Sequence, residues 1–353
     1  MKVSLNSLKQ FTSVDISLDE LVKKINEQLG KVEGTTDLAM LYADALIVRV
    51  VTATKHPNAD RLTICRIDDG HVIEGLERDQ DGLIQVVCGA PNVSEAMFAI
   101  WLPPGMTVPA TESDKEPLVL SAREIRGVVS NGMLAAADEL AIGNDHEGII
   151  ELTKTDLPYN SEVELTPGLN FAKTFGLDDT VLEIENKMFT HRPDCFGQLG
   201  VAREIAGILG AQFTSPDWYV TSPKFDAHND LELNVVNSAG KNVPRFMAIA
   251  MKDVVIGPSP FWLQCELVRM GGKPLNNVVD ITNYMMLLTG QPMHAYDYDS
   301  LSGHTIGARM AFESEKVTLL NGKTYTLTPE DIVIFDGEEV VGLGGVMGGG
   351  NSE

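Results

Sequence analysis

The chain has 353 residues, of which 44% are hydrophobic and 22% charged, and its 27 basic and 50 acidic side chains give a formal net charge of −23. This composition supports a packed core and excludes wholesale disorder, and the length allows about two to four domains. A net charge of this sign repels polyanions, so non-specific coating of RNA is excluded. Nucleic acid would bind only through a local patch or with the help of another chain.

The sequence also limits the compartment. The sequence contains no run of about 18 uninterrupted apolar residues, so no membrane span is predicted. The first segment, MKVSLNSLKQFTSVD, lacks the apolar core of a secretory signal. The cysteines are widely separated and form no CxxC pair, which is typical of reduced thiols rather than of a disulfide framework or a zinc site. We therefore expect a cytoplasmic protein without membrane contact. The cysteines are Cys65, Cys88, Cys195 and Cys265.

The predicted elements change from helical to extended near residue 41. A helix is expected within residues 16–34, where Ser17 and Glu20 form a capping box and Gly30 ends the helix. Five short apolar segments separated by turn residues then predict strands, and an OB-fold has that strand count. The polar insertion at 70–82 is expected to be an exposed hairpin loop. The predicted strands span 45–54, 61–68, 83–90, 97–103 and 118–127.

The second half of the chain is predicted to be α+β. A helix is expected to begin near Phe196, because apolar residues recur there at helical spacing, and the stretch 215–230 predicts a linker. A further helix is expected with Ser259 as its N-cap, Pro260 at its first position and Gly271 as its end. Short predicted strands occupy residues 148–152, 231–236, 245–256 and 304–311.

The segment VVDITNYMMLLTGQPMHAYD, residues 278–297, predicts a helix followed by a loop. Polar residues suited to cap a helix open it, apolar residues follow at helical spacing, and a glycine and a proline end it. His294 then lies just past the helix end, and packing, metal binding and substrate handling all stay open as its role. The capping candidates are Asp280, Thr282 and Asn283, and the terminating pair is Gly290 and Pro292.

The turn HPNADRL, residues 56–62, joins the first two predicted strands and is surrounded by cations. The nearby basic residues leave a local net charge of +3 inside a strongly acidic chain. Clustered Lys and Arg beside an OB-fold face predict phosphate contacts, and a solvated turn with incidental charges is the alternative. The charges counted are those of Arg49, Lys55, Arg61, Arg66 and Asp60.

Two further motifs narrow the classes of ligand. The run GLGGVMGGG, residues 342–350, lacks the lysine of a phosphate-binding P-loop, and Met347 occupies the third glycine position of a dinucleotide fingerprint. The remaining interpretation is that the glycines let another segment of the protein, or a ligand, come close to the backbone of this run. The residues near His294 that could bind a metal do not have the spacing of a standard metal site. We therefore predict no metal, and the default expectation for His294 is a buried histidine. The residues that could bind a metal are Asp297, Asp299 and His304.

Nine collinear motifs together resemble the β chain of bacterial phenylalanyl-tRNA synthetases, and the resemblance covers essentially the whole chain. The family's β chain is considerably longer, so the sequence resembles its N-terminal part, and the glycine-rich end is expected to lie within an unfinished domain. The motifs are MKVSLNSLKQF, HPNADRL, VCGAPN (87–92), IRGVVSNGML (125–134), DHEGIIEL (145–152), RPDCFGQLGVAREIA (192–206), PRF (244–246), VVDITNYMMLLTGQPMHAYD and GGVMGG (344–349).

The resemblance implies an α+β multidomain fold. Residues 1–40 with 150–210 would form a split N-terminal α/β domain, an OB-fold β-barrel resembling tRNA-binding domains would be inserted at 41–149, and an editing domain would occupy 212–353. It also implies an assembly of two α and two β chains that acts on tRNA(Phe), with ATP and Mg²⁺ used at the aminoacylation site of the α chain. The fragment itself is expected to hold no cofactor and to be inactive in aminoacylation.

The chemistry implied for this part is hydrolysis of Tyr-tRNA(Phe) made by mistake. An apolar pocket rejects an added hydroxyl only about a hundredfold, whereas a second site that hydrogen-bonds the hydroxyl discriminates far better. The family's motifs make Thr282, Asn283 and His294 the catalytic group, with His294 orienting the attacking water or the terminal adenosine. The expected substrate-binding residues are Gly345, Gly348, Lys273 and Pro292, and the expected RNA-binding residues are Lys55, His56, Asn58 and Arg61.

Two features depart from the family pattern. Lys273 stands where the family often has Arg, which keeps the charge but loses bidentate pairing, and the glutamate that reads the tyrosine hydroxyl in the family falls beyond Glu353. Two alternatives follow. One is a non-catalytic assembly scaffold that has lost editing, and the other is a free-standing RNA-binding protein built on the OB-fold.

Overall fold

A computed structural model describes residues 1–159, 161–221 and 230–351 of the chain. The protein divides into two compact units, a first of Met1–Pro216 with Pro258–Gln291 and a second of Asp217–Gly257 with Pro292–Glu353. Helices and several separate sheets occur together, so the expected α+β multidomain class is confirmed. The domain boundaries expected at 40, 149 and 212 stay predictions. None of the described helices has the length and apolar character needed to cross a bilayer.

The helices are mostly short, and several begin at a polar residue whose side chain accepts a backbone hydrogen bond. Short 3-10 turns occupy Pro109–Thr111, Lys154–Asp156, Lys187–Phe189, Pro193–Phe196, Tyr298–Ser300 and Ser302–His304. The α-helices of the described residues are α1 (Leu5–Lys9), α2 (Leu18–Gln28), α3 (Leu38–Leu41), α4 (Phe171–Thr174), α5 (Gln198–Leu209), α6 (Asp217–Val220), α7 (Phe261–Arg269) and α8 (Asn277–Thr289).

The strands follow the apolar segments of the sequence in the first half and are shorter in the second. Those up to residue 134 are β1 (Lys2–Ser4), β2 (Val32–Asp37), β3 (Leu46–Lys55), β4 (Thr63–Asp68), β5 (Ile84–Cys88), β6 (Phe98–Leu102), β7 (Ala122–Ile125), β8 (Val128–Asn131) and β9 (Met133–Leu134). The later ones are β10 (Glu151–Leu152), β11 (Leu169–Asn170), β12 (Thr180–Ile184), β13 (Asn234–Asn237), β14 (Thr305–Met310), β15 (Lys316–Thr318), β16 (Thr324–Thr326), β17 (Ile332–Phe335), β18 (Val340–Leu343) and β19 (Met347–Gly348).

In the first unit, a small three-stranded sheet draws on distant parts of the sequence. Strand β12 lies between β1 and β2, and both pairs are antiparallel. Helices α1, α2 and α5 contribute apolar side chains to a core beside this sheet, which includes Leu8, Ile25 and Ile205. The predicted start of α2 is confirmed, because the Ser17 side chain accepts a hydrogen bond from the Glu20 amide at 3.3 Å. The predicted helix near Phe196 is α5, which Gly210 ends in the left-handed conformation.

Among the described residues, the larger sheet of the first unit has seven strands. It does not close into the barrel that is expected of an OB-fold. Its order is β10-β6-β3-β4-β5, with β11 paired to β3 and β9 paired to β6. Four of the five predicted strands form β3 to β6, and the fifth contains β7, which pairs with the following strand β8 in a separate hairpin. Arg126 and Gly127 both have positive φ, which is the geometry of a two-residue hairpin turn. This range therefore contains a sheet and a hairpin, and its assignment as an OB-fold stays a prediction.

Hydrogen bonds that involve side chains, rather than backbone strand pairing, hold the hairpin β7–β8 against β5 of the larger sheet. Gln85 of β5 donates to the Val129 carbonyl at 2.7 Å, and the Val87 amide donates to the Ser130 hydroxyl at 2.9 Å. The insertion 70–82 contains no helix or strand, as predicted. Its anchor is Arg78, which forms a bidentate pair with the fully buried carboxylate of Asp69 at 2.6 and 2.9 Å.

The starts of α7 and α8 differ from their predictions. Ser259 does not cap α7, because its hydroxyl donates to the buried Asp280 carboxylate at 2.6 Å and Pro260 takes the capping position. The α8 cap is Asn276, whose side chain accepts hydrogen bonds from the amides of residues 278 and 279. The helix therefore begins earlier than expected and places Asp280, Thr282 and Asn283 in its interior. Gly290 ends it in the left-handed conformation, as predicted.

The second unit is organised around a five-stranded sheet of order β13-β14-β17-β18-β19. The β13–β14 pair is parallel and the others are antiparallel. One core cluster joins this sheet to the hairpin β15–β16 through Val317 and Val333, and another contains Ile306 and Val341. The predicted strands at 231–236 and 304–311 appear as β13 and β14, whose ends are shifted by one to three residues.

The predicted strand at 245–256 is wrong, since residues 243–260 contain no strand. Its apolar side chains are left on the surface, and Met247, Ile249 and Val255 are 76%, 65% and 80% exposed. The predicted linker 215–230 contains the short helix α6, and its residues 222–229 lie outside the described part of the chain.

Candidate functional site

The helix α8 fixes two of the residues that the sequence singled out. Asp280 anchors its first turn by accepting hydrogen bonds from Ser259 and from the Leu275 amide at 2.8 Å. Thr282 and Asn283 are half-buried in the helix interior. The Thr282 hydroxyl donates to the Val279 carbonyl at 2.8 Å, a local bond that fixes the position of this side chain. Both residues belong to the first unit.

His294 lies in the second unit, on the exposed segment that follows α8. The default expectation of a buried histidine is therefore wrong. Its imidazole packs against the backbone of β19, because a β-carbon built on Gly348 would overlap the ring. Tyr296 lies beside it, with the ring centroids 4.8 Å apart and the planes at 73°. Burial raises the pKa of the Tyr296 phenol to about 12, so this hydroxyl stays protonated at neutral pH.

The glycine-rich run forms the surface on which these two rings lie. Gly342 of β18 is paired directly with Gly348 of β19, and a β-carbon on Gly342 would come within 3.3 Å of the Tyr296 hydroxyl. Paired glycines on neighbouring strands leave an open patch that aromatic rings can cover. The close backbone approach that the sequence predicted is therefore made to His294 and Tyr296. The neighbouring Gly349 is packed against the backbone of Val341.

The other expected substrate-binding residues occupy different places. Pro292 is exposed at the start of the segment that leads to His294, and Gly345 is exposed at the turn between β18 and β19 with φ of +72°. Lys273 belongs to the first unit, where it lines a cavity of about 300 Å³ together with Lys2. The expected site residues thus fall into a first-unit set and a second-unit set, and the structure brings His294 together with Gly348.

The candidate metal ligands near His294 are held by local contacts. Asp297 accepts hydrogen bonds from the Asp299 amide and the Ser300 hydroxyl, and His304 stacks on Tyr298 with the ring centroids 4.3 Å apart. Within the described part of the chain, no three potential ligands of the His, Cys, Asp and Glu types come together. The contacts of Asp297 and His304 therefore shape the loop.

The HPNADRL turn joins β3 to β4, as predicted. Lys55 and Arg61 are exposed, and Asn58 is exposed but donates its side-chain amide to the Arg126 carbonyl at 3.0 Å. His56 is only 5% exposed, and both of its ring nitrogens are used within the protein. Two of the four expected RNA-binding residues are thus cations open to solvent, and the other two hold the turn in place.

Two features of these sites were not predicted from the sequence. Tyr296 follows His294 by two residues in an extended segment, where alternate side chains share a face, and that spacing was the available signal. The hairpin β7–β8 carries Arg123 and Arg126 next to the HPNADRL turn. The Arg-Gly pair at 126–127 was the available signal for this hairpin, and it is a weak one because Asn-Gly and Asp-Gly are the preferred pairs in such turns.

Two family models match the chain. Residues 46–158 match a putative tRNA binding domain, and residues 242–353 match a B3/4 domain. The first range contains the seven-stranded sheet's β3 to β6 and the HPNADRL turn, and the second contains α8, His294 and the glycine run. The chain is thus of the class that combines these two domain types.

Curated relatives extend the similarity to the whole chain. It is 35% identical over 353 residues to the phenylalanine–tRNA ligase beta subunit of Gloeobacter violaceus, covering 100% of this chain and 41% of that protein. It is 38% identical to the subunit of the same name from Moorella thermoacetica and 36% identical to that from Nitrobacter winogradskyi, covering 99% of this chain and 40% of each relative. The resemblance is confirmed: the chain is similar over its whole length to phenylalanine–tRNA ligase beta subunits, of whose length it spans about two fifths.

Proposed function

We propose that this chain is the part of a phenylalanine–tRNA ligase beta subunit that carries an OB-fold-like module and most of a post-transfer editing site. Its reaction is hydrolysis of the ester bond of Tyr-tRNA(Phe), in which water releases tyrosine and regenerates free tRNA. The observation that carries the proposal is the similarity of the full chain to beta subunits, including the segment with His294. The match to a B3/4 domain over residues 242–353 supports it.

The geometry at His294 suits a hydrolytic role. The imidazole is exposed, and its ring packs against Gly348 of β19. The imidazole orients the attacking water or the terminal adenosine, and histidine is the side chain best suited to accept a proton near neutral pH. Thr282, Asn283, Gly345, Pro292 and Lys273 are proposed to complete the site by analogy with the family's motifs.

The proposal extends to the whole enzyme. Aminoacylation with ATP and Mg²⁺ belongs to an α subunit, and two α and two β chains assemble in the cytoplasm. The beta-subunit name of the relatives supports an α partner, and the putative tRNA binding domain supports contact with tRNA(Phe). Lys55 and Arg61 are proposed to contact phosphates, because they are exposed cations in a chain of net charge −23.

Deacylation of preformed Tyr-tRNA(Phe) tests the editing function. The two-subunit enzyme is assayed with wild-type chain, with His294→Ala and with His191→Ala, an exposed histidine of the first unit as the matched control. We expect His294→Ala to lower the rate by about a hundredfold or more, while His191→Ala keeps the wild-type rate and Phe-tRNA(Phe) is spared by all three. Hydrolysis at background level by wild type would leave the non-catalytic scaffold as the function of this part.

A further inference from the structure

The HPNADRL turn and the hairpin β7–β8 form one rigid surface. The ring Nε2 of His56 lies 3.1 Å from the Ile125 carbonyl, and the Asn58 side chain donates to the Arg126 carbonyl at 3.0 Å. Both carbonyls belong to the turn end of the hairpin, where Ile125 is paired with Val128. The two loops are therefore held together at their tips, although they are far apart in the sequence.

Both ring nitrogens of His56 are bonded within the protein, so we assign this residue a positioning role in the surface. Its Nδ1 accepts a hydrogen bond from the Asn58 amide at 3.1 Å, which requires an unprotonated Nδ1. The neutral ring then carries its hydrogen on Nε2 and donates it to the Ile125 carbonyl. With both nitrogens used and the residue buried, His56 fixes the hairpin to the turn.

Four exposed cations surround this junction, and we name them the hairpin surface: Lys55 and Arg61 from the turn, and Arg123 and Arg126 from the hairpin. Elsewhere in the described residues, arginines such as Arg78, Arg192 and Arg309 pair with carboxylates. No ion pair of the described residues involves any of the four. Unpaired cations are conspicuous in a chain with 50 acidic residues.

Arg126 occupies a position that ordinarily disfavours it. Its φ is +53°, where Asn and Gly are preferred because a side chain adds strain. Backbone strain of this kind clusters at functional positions. At the tip of the hairpin, the Arg126 carbonyl accepts a hydrogen bond from the Asn58 side chain, and the residue adds an exposed cation to the turn.

We propose that the hairpin surface is a single phosphate-binding site for the RNA backbone, in which Arg123 and Arg126 supply half of the contacts and His56 and Asn58 position the two halves. The inference rests on the proposed contact of Lys55 and Arg61 with tRNA and extends it to a hairpin outside that motif. Each cation that contacts a phosphate releases a counterion, so it contributes about one unit to the slope of log affinity against log salt.

Binding of tRNA(Phe) to the two-subunit enzyme over a range of salt concentrations tests this site. The hairpin variant is Arg123→Gln with Arg126→Gln, and the turn variant is Lys55→Gln with Arg61→Gln. The control, Lys115→Gln with Lys154→Gln, removes the same charge from exposed positions of the same unit. We expect the hairpin and turn variants each to bind more weakly than the control and to lower the salt slope by about 2.

The outcomes separate this inference from the proposed function. If the turn variant weakens binding while the hairpin variant matches the control, the hairpin has no role, but the turn still contacts RNA. If both match the control, the phosphate contact proposed for Lys55 and Arg61 is overturned as well. Asn58→Ala keeps all four cations, and we expect it to lower the slope without changing Tm. A change in Tm with an unchanged slope would show that Asn58 is merely structural.

Discussion

At the scale of single residues, the absence of a side chain at Gly348 leaves room for the imidazole of His294. The imidazole of His294 occupies the space that a β-carbon at this position would need. We predict that Gly348→Ala displaces the ring and lowers hydrolysis of Tyr-tRNA(Phe) by about tenfold or more, since small errors in the placement of catalytic groups are costly. The rate is measured with the two-subunit enzyme.

Two other glycines of the run give a graded comparison. A β-carbon on Gly342 would come within 3.3 Å of Tyr296, whereas one on Gly350 would meet only the Thr318 carbonyl at 4.0 Å. Gly342→Ala should therefore have an intermediate effect and Gly350→Ala almost none. Equal activity of all three variants would mean that the contact between His294 and Gly348 does not matter for the reaction.

The pair of Asp69 and Arg78 explains how a polar insertion stays ordered. Burial opposes ionisation of Asp69, but hydrogen bonds from Arg78 and from the amides of Ile73 and His71 outweigh it and lower the pKa of the carboxyl. We predict that Arg78→Ala, which leaves a buried carboxylate without its cation, lowers the free energy of unfolding by about 3 kcal/mol in urea titrations. Glu77→Ala, at an exposed position of the same insertion, is the control and should change it little.

The pH dependence of this pair has a defined sign. Because the folded-state pKa of Asp69 is lowered, its contribution is fully present above the unfolded-state pKa of about 4 and is lost as the pH falls through the folded-state pKa. The difference in unfolding free energy between wild type and Arg78→Ala should therefore shrink on acidification below pH about 4. A difference that grows there would contradict the assignment.

At the scale of elements, the segment 244–257 has the composition of a strand and leaves several of its apolar side chains exposed. Exposed apolar segments with β-forming side chains are sites of self-association. We predict that Ile249→Lys, which places a charge in the middle of this segment, reduces aggregation of the chain as measured by light scattering. Met40→Lys changes a side chain that is 78% exposed on α3 and is the control. Equal aggregation of the two variants would exclude the segment as the cause.

The elements show which parts of the fold local sequence can predict. The strands β3 to β6 were predicted within a few residues, because alternation of apolar side chains is a local property. The fifth predicted strand contains β7, but its pairing with β8 rather than with the larger sheet depends on the turn at Arg126 and Gly127, which directs the chain back along itself. The α8 cap was placed too late in the sequence, because the side chain of Asn276 satisfies two backbone amides before the apolar spacing begins.

In the candidate site as well, the sequence identifies single residues, whereas the contacts between them are visible only in the fold. The resemblance singled out His294 and Gly348 as separate motifs, and only the fold of the second unit shows the ring against the glycine strand. The turn residues His56 and Asn58 were predicted to bind RNA with the cations because they are neighbours in sequence. Their surroundings differ, since His56 is buried with both ring nitrogens bonded, whereas Asn58 is exposed and donates to the Arg126 carbonyl, and their contact with RNA stays a prediction.

At the scale of the whole molecule, all four cysteines lie in the first unit and all are buried. Burial raises the pKa of the Cys65 thiol to about 12 and that of Cys195 to about 11, and it also raises the pKa values of Cys88 and Cys265. Only the thiolate attacks disulfide reagents. We therefore predict that the native protein reacts very slowly with a thiol reagent at pH about 8 and that four thiols react in urea.

The four thiols also report whether the first unit unfolds as one body. Cys65 and Cys88 lie in the core of the seven-stranded sheet, Cys195 lies in the core beside the three-stranded sheet, and Cys265 lies in a third cluster with α7. If these cores are cooperative, all four should become reactive over one urea transition, as measured by mass spectrometry of labelled peptides. Exposure of Cys195 at a lower urea concentration than Cys65 would instead show that the two sheets unfold separately. The second unit contains no cysteine, so its unfolding needs another probe, such as the fluorescence of its tyrosines.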